Sequence, residues 1–379
     1  MSFGLYLHYP FCANHCSYCD FYKEHLDNDI EHRFWSALAA ETDLTARKYG
    51  SALGSISTIY VGGGTPSLMN LDSFRLWLRQ VECSFPMVYE VEFSFECNPE
   101  SVSLELLDTL KTFGVNRPLF GVQSFYPALL RLLGRRHDLN DTHRAIYHAN
   151  ALEFKNYGID LIFGLPGQKA NQHSADLDEA LKLAPPHISY YQLTVESGTP
   201  LEKMLNEGRL RQADPELVAA MYREGCDRLT EAGYHHYEVS SFARPGYECR
   251  HNQGYWDGSA YLGLGPSAHS FIGNRRFFNP SDLKRYVELL KQGRLPAEPD
   301  PSSHEERIVE AIMLGLRTSR GVRKKEFVDR FGVSLATRLS RKTVAVLIES
   351  GHLIEDDEAV RLTEVGICLA DEITRQLLG

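Results

Sequence analysis

The sequence predicts an α/β fold, in which a partial (β/α)6 barrel of the TIM-like kind is followed by a smaller, mainly helical C-terminal domain. Over the first two hundred residues, six short apolar runs rich in β-forming residues alternate with longer stretches of helical period. Strands that alternate with helices indicate a parallel sheet, because parallel neighbours need long crossover connections. After a proline-containing stretch near residue 300, the alternation gives way to three helical periods and a hairpin pattern.

The six predicted strands end in residues that are polar or conformationally special. The runs begin at Phe3, Ser57, Val91, Pro118, Ile159 and Ile188. Their ends carry a cysteine-rich loop, the glycine turn at 62–65, Glu96, Gln123, Gly164 with Pro166, and Gln192 with Glu196. In barrels of this type the working residues lie at the carboxyl ends of the strands, so we expect these ends to converge on one face. Pro118 has no amide hydrogen for a strand ladder and is therefore predicted at the first position of its strand.

The rest of the chain separates into further predicted parts. A helix is predicted over 214–231, and a compact segment rich in Tyr, His and Gly follows over 234–278. Residues 1–292 form the predicted barrel domain, 293–304 a linker with three prolines, and 305–379 the C-terminal domain. The order of three helices and a hairpin in the last part resembles a winged helix, a fold that often binds DNA.

Charge and composition narrow the choice of partners. The 379 residues carry 50 acidic and 40 basic side chains, a formal charge of -10, which argues against electrostatic binding of nucleic acid. We therefore interpret the C-terminal domain as a lid or packing domain. The sequence shows neither a secretory pattern nor a run of membrane-spanning length, so we expect a cytoplasmic protein without a membrane span. Five cysteines stand alone and are expected to be reduced and mostly structural: Cys83, Cys97, Cys226, Cys249 and Cys368.

The remaining three cysteines, Cys12, Cys16 and Cys19, form a constellation after the first strand. They could form a bridge, bind zinc or hold an iron-sulfur cluster. Zinc sites use four protein ligands, and the nearest additional one is His15 inside the loop. A [4Fe-4S] cluster that only carries electrons uses four thiolates. Three thiolates leave one iron open, and a small molecule with an amine and a carboxylate can chelate it.

The spacing of the three cysteines resembles the signature of the radical S-adenosylmethionine (SAM) superfamily. This resemblance implies a [4Fe-4S] cluster whose open iron is capped by SAM, and an electron from the cluster that cleaves the sulfonium to release a 5'-deoxyadenosyl radical. Along nearly its full length the chain resembles one branch, the group of oxygen-independent coproporphyrinogen III oxidase and the HemW-type haem chaperones. The motifs, in the family's order, are YLHYPFC, GGGTPS, FECNPES, GVQSF, LLGRRH, GIDLIFGLPGQ, YQLTVESGTPL and HNQGYW.

The resemblance implies a set of SAM-binding residues, namely Tyr6, Tyr18, Gly63, Gly64, Thr65, Glu96, Gln123, Arg135 and Asp160. The residue types suit this role, because glycine lets a backbone approach a ligand closely and a carboxylate after an apolar run needs a cationic or hydroxyl partner. Alternatives remain for several positions. The glycines could form a tight turn, Arg135 could be a surface charge on a helix, and Asp160 could cap a backbone turn. In the oxidase, Arg135 and Asp160 would serve a second SAM.

The chaperone branch carries an HNxxYW motif, which this chain matches at His251, Asn252, Tyr255 and Trp256. The resemblance implies haem binding. A neutral imidazole is an axial ligand for haem iron, and the Tyr and Trp rings offer flat faces to the macrocycle. The alternative is that His251 is a hydrogen-bonded structural histidine. Cys249 could attach haem, but no CxxCH pattern is present, so a structural cysteine is favoured.

Two departures from the oxidase favour the chaperone branch. The oxidase has a fourth cysteine two residues after the third, where this chain has Phe21. The oxidase also has a longer N-terminal extension that helps to close over its substrate, whereas only eleven residues precede Cys12 here. The main hypothesis is a haem chaperone that passes haem to an acceptor protein and has an electron-donor protein as a second partner. The alternative is an oxygen-independent coproporphyrinogen III dehydrogenase, so the enzyme question stays open. A nucleic-acid regulator is a third, weaker hypothesis, and the possibility of a homodimer also stays open.

Overall fold

The computed structural model describes residues 2–379. Its strands are β1 Ser2–Tyr9, β2 Phe11–Cys12, β3 Glu24–His25, β4 Ser55–Gly63, β5 Met87–Cys97, β6 Arg117–Gln123, β7 Gly158–Phe163, β8 His187–Gln192, β9 His235–Glu238, β10 Ser241–Ala243, β11 Tyr261–Leu264, β12 His269–Ile272, β13 Arg275–Phe278, β14 Glu298–Pro299, β15 Val322–Arg323, β16 Leu353–Glu355 and β17 Ala359–Leu362.

Its α-helices are α1 Asn28–Leu53, α2 Leu71–Ser84, α3 Leu104–Thr112, α4 Pro127–Leu132, α5 Leu139–Ala151, α6 Ala170–Leu183, α7 Pro200–Asn206, α8 Pro215–Glu231, α9 Arg250–Asp257, α10 Leu283–Lys291, α11 His304–Leu316, α12 Lys324–Phe331, α13 Arg341–Glu349, α14 Glu364–Ile367 and α15 Ala370–Leu378. Short 3-10 turns lie at Pro66–Leu68, Pro99–Ser101 and Leu335–Thr337. No helix within residues 2–379 is both long and apolar enough to cross a membrane.

A parallel sheet forms the centre of the molecule. The six predicted strands are present as β1 and β4 to β8, and each pairs in parallel with its neighbour in that order. The α/β prediction is therefore confirmed. A seventh parallel strand, β11, lies on the other side of β1 and comes from the compact segment after α8. Antiparallel strands extend both ends of this sheet. Pro118 occupies the second position of β6, not the predicted first, because Arg117 already pairs with β5.

The helices pack on the outside of the sheet and bury a continuous apolar core. Aromatic side chains of α1 and α2, such as Phe34 and Phe74, are fully buried there against β1 and β5. Several helices begin at the capping residues that their sequences supply. Asp214, for example, accepts hydrogen bonds from the first turn of α8, which confirms the helix predicted over 214–231.

The C-terminal part has a core of its own. Apolar residues from α11 to α15 form a second buried cluster, and β15, β17 and β16 form a three-stranded sheet beside it. Three helices and a hairpin are present in the predicted order, and α14 and α15 follow them. Part of the predicted linker is ordered as β14, which pairs with β13 at the edge of the large sheet. The division at 1–292, 293–304 and 305–379 stays a prediction.

Candidate functional site

A cavity of about 600 Å³ occupies the interior of the barrel and opens at the carboxyl ends of its strands. Its lining includes every residue that the sequence predicted for the cluster and for SAM, namely Cys12, Cys16, Cys19, Tyr6, Tyr18, Gly63, Gly64, Thr65, Glu96, Gln123, Arg135 and Asp160. Asn252 and Tyr255 of the HNxxYW motif line the same cavity, whereas His251 and Trp256 do not. The ends of β1, β4, β5, β6 and β8 therefore converge on one cavity, as predicted, whereas Gly164 and Pro166 after β7 line a separate cavity.

The cysteine loop is held at the mouth of this cavity by backbone hydrogen bonds. The Ser17 amide donates to the carbonyl of Leu133 at 2.9 Å, and the Leu201 amide donates to the carbonyl of Ser17 at 2.9 Å. The three thiols are free. The Thr65 hydroxyl donates to Cys12 Sγ at 3.4 Å. The partner residues belong to three different segments of the chain, and together they hold the cysteine loop in place.

The donor set at this loop fits an iron-sulfur cluster. Burial raises the pKa of the Cys12 and Cys19 thiols, so positive charge is needed to hold them as thiolates. Lys23 lies close enough to both thiols to favour ionisation, and Arg135 donates to Cys16 Sγ at 3.9 Å. Within residues 2–379, no three His, Cys, Asp or Glu side chains converge on a single-ion position. A cluster binds its thiolates through separate irons, and the free, spread thiols are compatible with that.

The glycine turn after β4 brings two loops into contact in a way that only glycine permits. Gly63 has a φ of +110°, and a Cβ on Gly64 would lie 2.5 Å from the carbonyl oxygen of Phe11. The Gly64 and Thr65 amides donate to the carbonyls of Tyr9 and Phe11 at 2.7 and 2.8 Å. The turn is therefore a tight turn that packs against the cysteine loop, and SAM binding by these glycines stays a prediction.

Glu96 presents a buried carboxylate to the cavity beside this turn. It accepts from the Tyr60 hydroxyl at 2.8 Å and from the Gly63 amide at 3.2 Å. Burial, reinforced by the charge of Asp160, raises the pKa of Glu96 to about 7 in spite of these hydrogen bonds. No cationic side chain hydrogen-bonds to it among the described residues. The arrangement fits a ligand that brings a positive group or hydroxyls.

Arg135 and Asp160 both face the cavity rather than the outer surface. Arg135 donates through Nη2 to Asn98 Oδ1 and to the carbonyl of Gly121, both at 2.8 Å. Asp160 lies on β7, and burial raises the pKa of its carboxyl although a hydrogen bond from Ser189 opposes this. The placement of Arg135 disagrees with a surface charge on a helix. Gln123 ends β6 with a φ of 65°, a strained conformation of the kind that occurs at binding sites.

The HNxxYW motif forms α9, which closes the opposite end of the barrel. His251 is buried, and both of its ring nitrogens have partners. Nδ1 lies 2.8 Å from the Thr58 hydroxyl and Nε2 lies 2.8 Å from the Tyr255 hydroxyl. The Glu92 carboxylate accepts from the amides of His251 and Arg250 at 2.9 and 3.0 Å. Burial, with a smaller contribution from a nearby arginine, lowers the pKa of His251 to about 3, so the imidazole is neutral.

Trp256 lies on a different side of α9 from Asn252 and Tyr255. It lines a smaller cavity of about 180 Å³ together with Phe327 and Phe331 of the C-terminal part. The structure therefore does not bring the four motif residues around one space. Cys249, just before the helix, is fully buried with its Sγ 3.7 Å from Glu92 Oε1, and burial raises the pKa of its thiol to about 12.

Some cavity residues were not predicted from the sequence. They lie on the inward faces of β4, β6 and β8, deeper than the strand ends, and include Tyr60, Arg117, Leu119, His187, Ser189 and Tyr191. The signal that could have found them is the alternation of strands. If Gln123 faces inward at the end of β6, every second residue before it faces inward as well.

A partial parallel barrel with a three-cysteine loop after its first strand defines the class of radical SAM proteins. Comparison with protein families supports this class directly. The model of the Radical SAM superfamily matches residues 6–180, and the model of the HemN C-terminal domain matches residues 302–369.

Curated relatives cover the whole chain. The chain is 35% identical to "Heme chaperone HemW" of Bacillus subtilis (strain 168) over 99% of its length and 98% of the relative. It is also 35% identical to "Heme chaperone HemW" of Mycobacterium tuberculosis (strain CDC 1551 / Oshkosh), over 100% of this chain and 95% of the relative. The chain therefore belongs to the HemW family within the radical SAM superfamily.

One solved structure shares the complete fold. It is described as "Coproporphyrinogen III oxidase (HemN) from Escherichia coli is a Radical SAM enzyme", and it matches with a TM-score of 0.85 over 99% of this chain and 89% of that chain. The sequence identity is 24%, so this likeness establishes the fold and nothing further. The predicted radical SAM partial barrel with a mainly helical C-terminal part is thereby confirmed.

Proposed function

We propose that this protein is a haem chaperone built on a radical SAM scaffold, which binds haem, a [4Fe-4S] cluster and SAM and transfers the haem to an acceptor protein. The observation that supports it most is full-length similarity to proteins named heme chaperone HemW. The lining of one cavity by all the residues expected for the cluster and SAM agrees with it. An electron-donor protein and a homodimer belong to the same proposal.

In this proposal, the open end of the barrel holds the cluster and SAM. Cys12, Cys16 and Cys19 bind three irons, and a bound cluster supplies an electron at this site. The turn at Gly63, Gly64 and Thr65 lines the cavity beside the cysteine loop, and it is proposed to hold the methionyl group of SAM. Glu96 accepts from the positive or hydroxyl groups of the ligand. Burial of Glu96 strengthens such a contact, because the competing water is excluded.

The haem is proposed to bind through His251 as an axial ligand. The imidazole is neutral, which is the form that binds iron. Ligation through Nε2 requires the Tyr255 hydroxyl to leave this nitrogen, to which it is now hydrogen-bonded. The Tyr255 ring already faces the cavity, as does Asn252. The proposal therefore includes a rearrangement of α9 when haem enters.

The proposal is tested by titrating anaerobically reconstituted protein with haem, in the presence and in the absence of SAM, and recording the Soret band. We expect a shifted band for the native chain and a weaker one for His251→Ala. His173→Ala is a matched control, because His173 is another buried histidine bonded to a tyrosine hydroxyl, that of Tyr190. Tyr255→Phe removes the competing hydroxyl but keeps the ring, and it should tighten haem binding. An unchanged Soret band on addition of haem would refute the proposal.

One observation favours the oxidase alternative. Arg135 and Asp160, which in the oxidase would serve a second SAM, both line the cavity. Against it, Phe21 stands at the mouth where the oxidase has its fourth cysteine. An anaerobic assay with reductant, SAM and coproporphyrinogen III separates the two functions. We expect no protoporphyrinogen from protein with an intact cluster, and its formation would make the chain an enzyme of haem synthesis.

A further inference from the structure

Arg117 is a buried cation without adequate partners. It is the first residue of β6, is 1% exposed, and lines the barrel cavity. Among the described residues, its Nε and Nη2 have no hydrogen-bond acceptor, and Nη1 has only a long contact of 3.5 Å with the Ser94 hydroxyl. A buried guanidinium is costly unless acceptors surround it. The fold therefore keeps donors at this place that no residue within 2–379 satisfies.

The position of Arg117 separates it from the cysteine loop. Alternate residues of β6 face inward from Arg117 to Gln123, and Gln123 lies at the open end. At roughly 3.3 Å per residue for a regular strand, Arg117 lies at most about 20 Å along the strand from that end. It is at the floor of the same cavity. His187, beside it, also has an unpartnered ring nitrogen, Nδ1, and its Nε2 is bonded to the Tyr237 hydroxyl.

The carboxylates near Arg117 do not accept hydrogen bonds from its unpartnered donors. Glu92 lies near enough to favour the charged guanidinium, but its oxygens accept from the His251 and Arg250 amides, and it does not line the cavity. Asp160 faces the cavity between Arg117 and Arg135, and both arginines stabilise its ionised form. Neither carboxylate makes a hydrogen bond or close ion pair with Arg117.

We propose that Arg117 anchors a carboxylate of a ligand that enters the cavity from its open end. A guanidinium presents paired donors that match the two oxygens of a carboxylate, so this is the ligand group it recognises best. The inference rests on the proposed function, because two of its ligands carry carboxylates. A haem has propionates, and a SAM molecule held away from the cysteine loop has its methionyl carboxylate. The shared chemistry is an organic carboxylate bound at the barrel floor.

The test pairs ligands that differ only in this group. Binding of haem is compared with haem dimethyl ester, and binding of SAM with decarboxylated SAM, in the reconstituted native chain and in Arg117→Met. We expect the variant to weaken one carboxylate-bearing ligand by roughly 30-fold or more, the loss that follows truncation of one member of a buried charge pair. The matching ligand without the carboxylate should bind both proteins equally. The ligand pair that responds identifies the source of the carboxylate.

Glu92→Gln is the matched control, because it removes a carboxylate that favours the charged guanidinium from behind the cavity wall without changing the lining. If Arg117 only balances Glu92, the variant Arg117→Met will lower the free energy of unfolding, Glu92→Gln in the same chain will restore it, and no ligand will be affected selectively. That result overturns the inference. Equal weakening of a ligand and its carboxylate-free partner overturns it too. A native chain that binds neither haem nor SAM refutes the proposed function itself, together with this inference.

Discussion

The two ends of the barrel are prepared for ligands in opposite ways. At the open end, Glu96 has a raised pKa and no cationic partner among the described residues, and the three thiols are free. At the closed end, His251 has a partner on each ring nitrogen and Glu92 accepts from two amides. A ligand at the open end fills places that are ready for it, whereas a ligand of His251 must first break hydrogen bonds. Residues that match a family's motif equally well can therefore differ in how many hydrogen bonds must break before they bind a ligand.

The largest effect should come from removing the thiols of the open end. One triple variant carries Cys12→Ala, Cys16→Ala and Cys19→Ala. We expect its iron and sulfide content after reconstitution to fall to background, because no other protein ligand can replace three thiolates. Haem binding should remain, since His251 lies at the other end and distant sites act independently. Iron analysis and haem titration measure the two. Cys83→Ala, at an exposed cysteine outside the site, is the control. Joint loss of both ligands would mean that the ends are coupled.

The next effect concerns the stability of the closed end. His251→Ala leaves the Thr58 and Tyr255 hydroxyls without their partner and opens a space beside Gly4, whose Cα faces the imidazole. We expect the free energy of unfolding to fall by about 3 kcal/mol in the iron-free protein, from unsatisfied groups and the cavity together. Urea denaturation measures it.

Thr58→Val gives a reference value for that loss of stability. It removes one hydrogen bond of His251 while keeping the size of the side chain, and it should lower the stability by about 1 kcal/mol. If His251→Ala were no more harmful than Thr58→Val, the imidazole would not hold the floor of the barrel together. The hydrogen bonds of the closed end would then contribute less stability than their number indicates, and the two ends would differ less in how firmly their residues are held.

The convergence of strand ends at the open end could be predicted from the strand pattern, and the individual SAM residues came from the family resemblance. Strand alternation places inward residues at regular intervals, and parallel strands bring their carboxyl ends to one edge. Cys12 follows β1, Glu96 lies on β5 and Asp160 lies on β7, and all three line the cavity. The glycines at 63 and 64 were expected to let the backbone approach a ligand, and the structure shows them in close approach to the cysteine loop instead.

The closed end could not be predicted in the same way. A motif within one short helix specifies which residues are near in sequence, but not which of its faces meets the barrel. Trp256 points towards the C-terminal part while Tyr255 points into the barrel. The parallel pairing of β11 with β1 also escaped prediction, because a four-residue strand after a helix has no clear period. Arg117 escaped because polar residues at the start of a strand are usually exposed.

A smaller effect is expected from the pH dependence of the open end. Because the pKa of Glu96 is raised to about 7, the carboxyl is largely protonated at pH 6 and ionised at pH 8. If the ionised form binds SAM, the affinity should rise by about tenfold over that interval and then level off. Glu96→Gln should abolish the rise. Equilibrium binding of SAM to the cluster-bearing protein at several pH values measures it, and a flat native profile would exclude Glu96 as an acceptor for SAM.

Glu41 supplies the control for this experiment. Burial raises its pKa to about 7 as well, but it is bonded to Tyr286, Asn279 and Gly265 in the core and lies outside the cavity. Glu41→Gln should therefore keep the pH dependence of SAM binding. Since both folded-state pKa values are raised, ionisation opposes folding. The stability of the native chain should fall as pH rises from about 4.5 to 7, and each glutamine variant should remove part of that fall.

The smallest effect is expected at Trp256, where the closed end meets the C-terminal part. Trp256→Phe keeps an aromatic ring against Phe327 and Phe331 but leaves part of the space empty, so the stability should fall by about 1 kcal/mol. Haem and SAM binding should not change, because this side chain does not reach the barrel cavity. Urea denaturation and haem titration of the same preparation measure both. If haem affinity fell while stability did not, the indole would contact haem in the bound state. Since α9 packs between the barrel and α11, haem entry would then have to move the C-terminal part away from the barrel.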